Sequence, residues 1–164
     1  SPYLVWGCNF AIRKSVLIEA GGFHPDGLPQ ALVRFRGDGE TSVSKFVADN
    51  GLRCIFDPGA SVFHKVVPNR ATHDYFRDRG FTQGVSESYS ALRGGAAVTK
   101  NRRIIPRLIR KLYALTREHL FLPKGSRTAL KLFIVGYKDG YEYHQSCYRN
   151  DPDVRKWVHK ESYL

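Results

Sequence analysis

Three side chains in one stretch could carry acid–base chemistry. Asp38 and Glu40 stand two residues apart in Gly37-Asp38-Gly39-Glu40-Thr41, and His64 follows in Ser61-Val62-Phe63-His64-Lys65. Two carboxylates and an imidazole near the ends of adjacent elements suit a metal-assisted acid/base site. A carboxylate takes a proton, while imidazole and carboxylate oxygens hold a divalent cation. The same residues also suit a plainer role, a helix cap with a dipole partner and a histidine satisfied within a strand. Both readings stay open on these residues alone.

The elements that must position them follow from the flanking pattern. From Glu40, the apolar residues Val43, Phe46 and Val47 recur at i, i+3, i+4, which is one helix face. Asp38 is placed to cap that helix, and Asn50-Gly51 to stop it. Leu52 to Phe56 reads as a strand, Asp57-Pro58-Gly59 as a turn, and Ala60 to Val67 as a second strand carrying His64.

Upstream, residues 5–13 alternate enough for a strand. Ser15 is placed to cap a short helix, Val16 to Ala20, that Gly21-Gly22 stops, and 23–27 reads as a turn before a loop over 28–36. Downstream, a helix opens near Thr72 with Tyr75 and Phe76 on one face. A break is expected at Gly80 and Gly84 before it resumes over Val85 to Leu92.

Residues 99–122 carry an apolar stripe of Ile104, Ile105, Leu108, Ile109, Leu112 and Leu115, which predicts a helix. Ser126 is placed to cap a further helix through Tyr148, in which Gly136 and Gly140 cost about 1 kcal/mol each. Asp151-Pro152 opens a last short helix over Asp153 to Lys160, anchored by Trp157 and Val158. The chain therefore reads as a mixed strand–helix segment followed by a helical one. Two or three strands make a poor sheet alone, so the sheet is expected to continue one begun upstream.

Composition narrows the class. A chain of 164 residues is one domain or a piece of a larger one. No apolar run approaches the ~20 residues of a membrane span. The start shows no basic leader and no methionine, so it reads as a boundary within a longer protein. Cys8, Cys54 and Cys147 are an odd number at wide spacing without C-x-x-C, which favours a reducing cytoplasm and gives no zinc or redox motif. The net charge of +11 predicts attraction to polyanions, and it concentrates between Lys100 and Lys131. That run is a solvated or partner-facing surface, with peripheral contact to the inner face of an anionic membrane as one use.

One ordered set of pieces resembles a known family. Trp6-Gly7-Cys8-Asn9-Phe10-Ala11-Ile12-Arg13-Lys14, then Glu19-Ala20-Gly21-Gly22-Phe23, then Gly37 to Thr41, then Gly51-Leu52-Arg53 with Phe56-Asp57-Pro58, then Val62-Phe63-His64 resembles the C-terminal half of family 2 glycosyltransferases with the GT-A fold. The resemblance covers roughly residues 5–95, and the tail from Gly140 onward is similar to the helical ending of some members.

It implies an α/β fold: a partial GT-A-like, Rossmann-like unit over 1–95, followed by a helical extension over 96–164. It implies an enzyme that moves a sugar from a nucleotide-sugar donor to a hydroxyl of a carbohydrate or lipid-linked acceptor, with inversion and with Mn²⁺ or Mg²⁺. The family's nucleotide-binding half is missing from the sequence, so the chain alone is expected to be inactive. The family's acidic pair falls on Gly39-Glu40, so the resemblance makes Glu40 the catalytic base, with Asp38 as the alternative carboxylate. It makes His64 a metal ligand.

Trp6, Gly7 and Asn9 are candidates for the acceptor wall, and Arg70, Arg77 and Arg79 for a phosphate clamp on the donor side. The rival reading is a basic module for nucleic acid or anionic membrane. Nucleic acid is not expected, because zinc ligands, an aromatic RNA-binding strand pattern and a clear recognition helix are all missing from the sequence.

Overall fold

Four glycines at four-residue spacing set the architecture. In the computed structural model, which describes residues 7–95 and 124–164, Gly80 and Gly84 lie in one long helix and Gly136 and Gly140 in another. The elements in chain order are α1 (Lys14–Glu19), α2 (Glu40–Asp49), α3 (His73–Arg93), α4 (Lys124–Asn150) and α5 (Pro152–Val158). Short 3₁₀ turns occur at Gly7–Asn9, Gln30–Phe35 and Pro68–Ala71.

α3 and α4 form the most extensive contact between elements. A Cβ added at Gly80 or Gly84 would overlap the backbone carbonyl of Phe133 or Tyr137, and one at Gly136 or Gly140 that of Arg77 or Phe81. Residue numbers rise together along the two helices, so they run parallel. Each helix sets its backbone directly against the other through the row of missing side chains. At such a distance Cα–H groups meet carbonyl oxygens across the seam.

The expected break at Gly80 and Gly84 is therefore corrected: α3 is continuous through 21 residues. The helix-propensity cost of each glycine is offset by contacts that no larger residue permits. Either side of the seam, side chains close the core. Ile134 and Tyr137 pack with Leu130, Phe133 and Tyr141. Farther along, Tyr89 and Leu92 of α3 pack with Val154 and Val158 of α5, sealed by Phe35, Cys147, Tyr148 and Trp157.

Local signals explain the helix ends. The Thr72 hydroxyl accepts from the Tyr75 amide at 3.2 Å and starts α3. Asp151 Oδ1 accepts from the Asp153 and Val154 amides at 2.9 and 3.4 Å, with Pro152 at the first position of α5, as the sequence leads one to expect. Trp157 ties this last helix down by donating its indole N–H to the Phe35 carbonyl at 2.7 Å. Arg93 donates to the carbonyls of Val158 and Lys160, both at 2.7 Å, placing a cation at the C-terminus of α5.

The α/β expectation is overturned. Helix accounts for 64% of the structure and strand for 2%, with no sheet among the described residues. The only strand-like pairing among them is an isolated antiparallel bridge between His24 and Gly39. Residues 7–9 form a 3₁₀ turn where a strand was expected. Leu52–Phe56 and Ala60–Val67 form no ladder and lie at the surface, with Ile55 79% and Phe63 108% exposed. Their apolar, β-branched composition suits a pleated surface, but a strand exists only where a neighbour completes its hydrogen bonds. The helix expected over 99–122 falls outside the described residues, and so does the boundary expected near residue 96.

Substituting the seam glycines tests this architecture. Gly84→Ala or Gly136→Ala is expected to cost about 3 kcal/mol or more, since the added methyl meets backbone on both helices. Gly125→Ala, also in α4 but facing open space, is expected to be neutral or stabilising by up to about 1 kcal/mol. Urea unfolding midpoints of the three variants check the contrast.

Candidate functional site

Glu40 opens α2, and the loop before it is fixed from two sides. The Gly37 amide donates to the Pro25 carbonyl at 2.6 Å, and Gly39 bridges His24. Gly39 has φ +58°, and a Cβ there would lie 2.9 Å from Asp26 Oδ2. Both facts select glycine at position 39. Gly39, not Asp38, occupies the cap position of α2, and no side chain caps that helix.

Asp38 serves another purpose. Its Oδ1 lies 2.6 Å from His24 Nδ1, and its Oδ2 accepts from the Ser90 hydroxyl at 2.6 Å. His24 is only 3% exposed, packed edge-on to Tyr89 and beside Tyr163. Serine, aspartate and histidine here do not make a nucleophile triad. The serine donates to the aspartate, and no hydrogen bond joins it to the histidine, so nothing in the set removes the hydroxyl's proton. Asp38 has both oxygens engaged, and it pins the loop to α3.

Glu40 is placed differently. Its Oε1 accepts from the Gly7 amide at 3.0 Å, and among the described residues Oε2 has no hydrogen-bond donor. A Cβ at Gly7 would lie 3.3–3.4 Å from both carboxylate oxygens and Cδ, so the glycine leaves that face of the carboxylate uncovered. Asn9 stands in the same turn and donates from Nδ2 to the Ala60 carbonyl at 2.7 Å. Glu40 and Gly7, 33 residues apart, are thus brought together, while the Asn9 side chain is engaged with residue 60.

The other expected site residues are not gathered with them. Trp6 lies outside the described residues. His64 is exposed in the stretch 61–67 and has no hydrogen-bond or ion-pair partner among the described residues. Arg70 lies over the Tyr75 ring at 6.0 Å. Arg77 faces Asp139 of α4 at 3.8 Å, an exposed pair that contributes little to stability. Arg79 is exposed on α3.

No group of three or more His, Cys, Asp or Glu side chains that could hold a metal ion occurs among the described residues. Among the described residues His64 is not grouped with other side chains that could hold a divalent cation. Most of the basic run 100–131 falls outside the described residues.

The sequence reading missed a second polar cluster, between α3 and α4. Gln145 donates to the Ser88 hydroxyl at 3.0 Å, and that hydroxyl lies 2.9 Å from His144 Nδ1. His144 Nε2 and the Tyr137 hydroxyl are buried without a hydrogen-bond partner among the described residues. Burial holds the His144 imidazole down to about 4. Burial raises the Glu87 carboxyl above its usual range; a hydrogen bond from Gln83 opposes this and the Asp38 charge adds to it. Burial also raises Tyr137, with the Glu87 charge contributing. Isolated polar residues within two long amphipathic helices gave no signal that they would face each other.

A separate open cavity of about 630 Å³ lies between the starts of α3 and α4, with Phe76, Ala129, Leu130 and Phe133 as its apolar lining and Arg70 and His73 at its edge. None of these residues belongs to the Glu40 cluster. No described helix is long and apolar enough to cross a membrane. Comparison with protein-family profiles, with curated proteins and with solved structures finds no match to this chain.

The buried imidazole makes stability pH-dependent. Unfolded His144 takes up its proton near 6.5 and the folded group near 4. Between those values the unfolded chain binds more protons, so stability is complete above about pH 6.5 and falls as the pH is lowered towards 4. The loss is expected to reach about 3 kcal/mol. Glu87 acts in the opposite sense, losing stability as the pH rises past its unfolded value. Subtracting the urea-unfolding profile of His144→Gln from that of the wild type isolates the histidine. A difference that stays constant from pH 7 to pH 4 would contradict the assignment.

Proposed function

We propose that this chain supplies the acceptor-activating carboxylate of a glycosyltransferase, acting between a nucleotide-sugar donor and a carbohydrate or lipid-linked acceptor. Glu40 is the base. One observation carries the reading: Glu40 has an oxygen without a described donor beside the Gly7–Asn9 turn, whereas both oxygens of Asp38 are committed to His24 and Ser90.

An acceptor hydroxyl hydrogen-bonded to Glu40 Oε2 loses its proton as its oxygen attacks the anomeric carbon. The bond from that carbon to the diphosphate breaks as the new glycosidic bond forms on the opposite face. The Gly7 amide holds Glu40 Oε1 at 3.0 Å, which leaves Oε2 for the acceptor hydroxyl. The reading rests on this carboxylate and not on a sheet. Donor binding, a divalent cation and a cytoplasmic place at the inner face of a membrane belong to the same proposal, with no ligand for the cation assigned among the described residues.

Sugar transfer by the complete protein containing these residues tests it, with labelled nucleotide sugars and glycan or lipid-linked acceptors. Glu40→Gln is expected to lower kcat by about 10²–10⁴-fold while leaving nucleotide binding intact. Asp38→Asn is expected to lower thermal stability. Full transfer by Glu40→Gln, or no transfer by the wild type from any nucleotide sugar, would sink the reading.

A further inference from the structure

We infer that Ser90 and His24 are positioning residues for Glu40, acting through the two oxygens of Asp38; this rests on the proposed role of Glu40. α2 packs broadly on no other described helix, so helix packing does not by itself fix where its first residue stands. What holds the start of α2 is the loop over 37–39. From one side, His24 contributes its backbone bridge to Gly39 and its ring nitrogen to Asp38. From the other, Ser90 projects from α3, which shares the most extensive contact among the described elements, and donates to Asp38 at 2.6 Å. The same hydroxyl lies 3.1 Å from the Ser86 carbonyl, which keeps it on the side of α3 that faces the loop.

Asp38 and Glu40 are separated by one residue, and Gly39 between them has a backbone conformation that few residues adopt. A change in the Asp38 carboxylate is therefore transmitted to Glu40 along a short, stiff path. Pinning Asp38 from two elements orients the Glu40 backbone, and Thr41 N–H to the Asp38 carbonyl at 3.1 Å continues that orientation into α2. A catalytic carboxylate must be held within a fraction of an ångström of its productive place, and a small misplacement costs rate before it costs binding.

The Gly7 amide gives a readout independent of catalysis, because its hydrogen bond to Glu40 reports where the carboxylate stands. In ¹⁵N-glycine-labelled protein, the Gly7 amide proton is expected downfield in the wild type and displaced upfield in Glu40→Gln. Ser90→Ala is expected to move it part of the way upfield and to lower kcat by about tenfold, with KM for the donor unchanged. Ser90→Thr keeps the hydroxyl and is expected to restore both. A Ser90→Ala protein with wild-type Gly7 resonance and kcat would overturn the inference. So would equal losses in the alanine and threonine variants, because packing and not the hydroxyl would then be responsible. Full activity in Glu40→Gln would remove the catalytic reading, while the Gly7 resonance in Ser90→Ala would still decide the clamp.

Discussion

The close approach of α3 and α4 is the constraint on which the rest of the described structure depends. Gly80, Gly84, Gly136 and Gly140 let two backbones meet along one seam. That contact fixes the parallel register of the two helices. The register then decides which side chains meet farther along: Ser88 with His144 and Gln145, and Tyr89 with the end of the chain. A seam made of backbone has no side chains to repack, so it resists adjustment in a way that a leucine-filled interface does not.

Polar ties carry this rigidity outward. Tyr89 and Tyr163 share a hydrogen bond at 2.8 Å, and the Tyr163 hydroxyl donates to the Trp157 carbonyl at 2.6 Å. The Tyr163 amide reaches the Gly21 carbonyl at 2.8 Å, which joins the last residues to the end of α1. Ser90 reaches Asp38, and Arg36 reaches Ser86 at 3.1 Å and the Asp26 carbonyl. The amino-terminal half is thus attached to the helices by hydrogen bonds between specific groups, beside the ring contacts of His24 and Phe35. Each such group leaves a buried or half-buried partner unsatisfied when it is removed. The stretch 52–67 receives little of this support. Phe56, Val62, Phe63 and Val66 remain at the surface.

How much could be read in advance depended on the range of the interaction. The Asp151-Pro152 start of α5, the stop of α2 at Asn50-Gly51 and the helical face of Val43, Phe46 and Val47 are local, and they appear as expected. Asp38 and Glu40 were visible as carboxylates but not as different carboxylates. Their separation depends on His24, Ser90 and Gly7, which lie 14, 52 and 33 residues away from their partners. Residues 52–56 and 60–67 have strand composition, but composition cannot supply a neighbouring strand. The glycines were misread for the converse reason: propensity counts their cost in a single helix, and the compensating contact lies in another.

By itself the sequence determined the Asp151 cap, the stop of α2, its apolar face, the strong positive charge and the pair of acids beside Gly39. These follow from covalent neighbours and from the 3.6-residue period of the helix. Only the tertiary structure decided that Asp38 is a clamp and that Glu40 keeps an oxygen without a described donor. It alone turned four helix-weakening glycines into the most extensive contact between the described elements. The physical reason is the same in each case. A hydrogen bond or a backbone contact is a relation between two groups, and its second member lay in a part of the chain that only folding brings near.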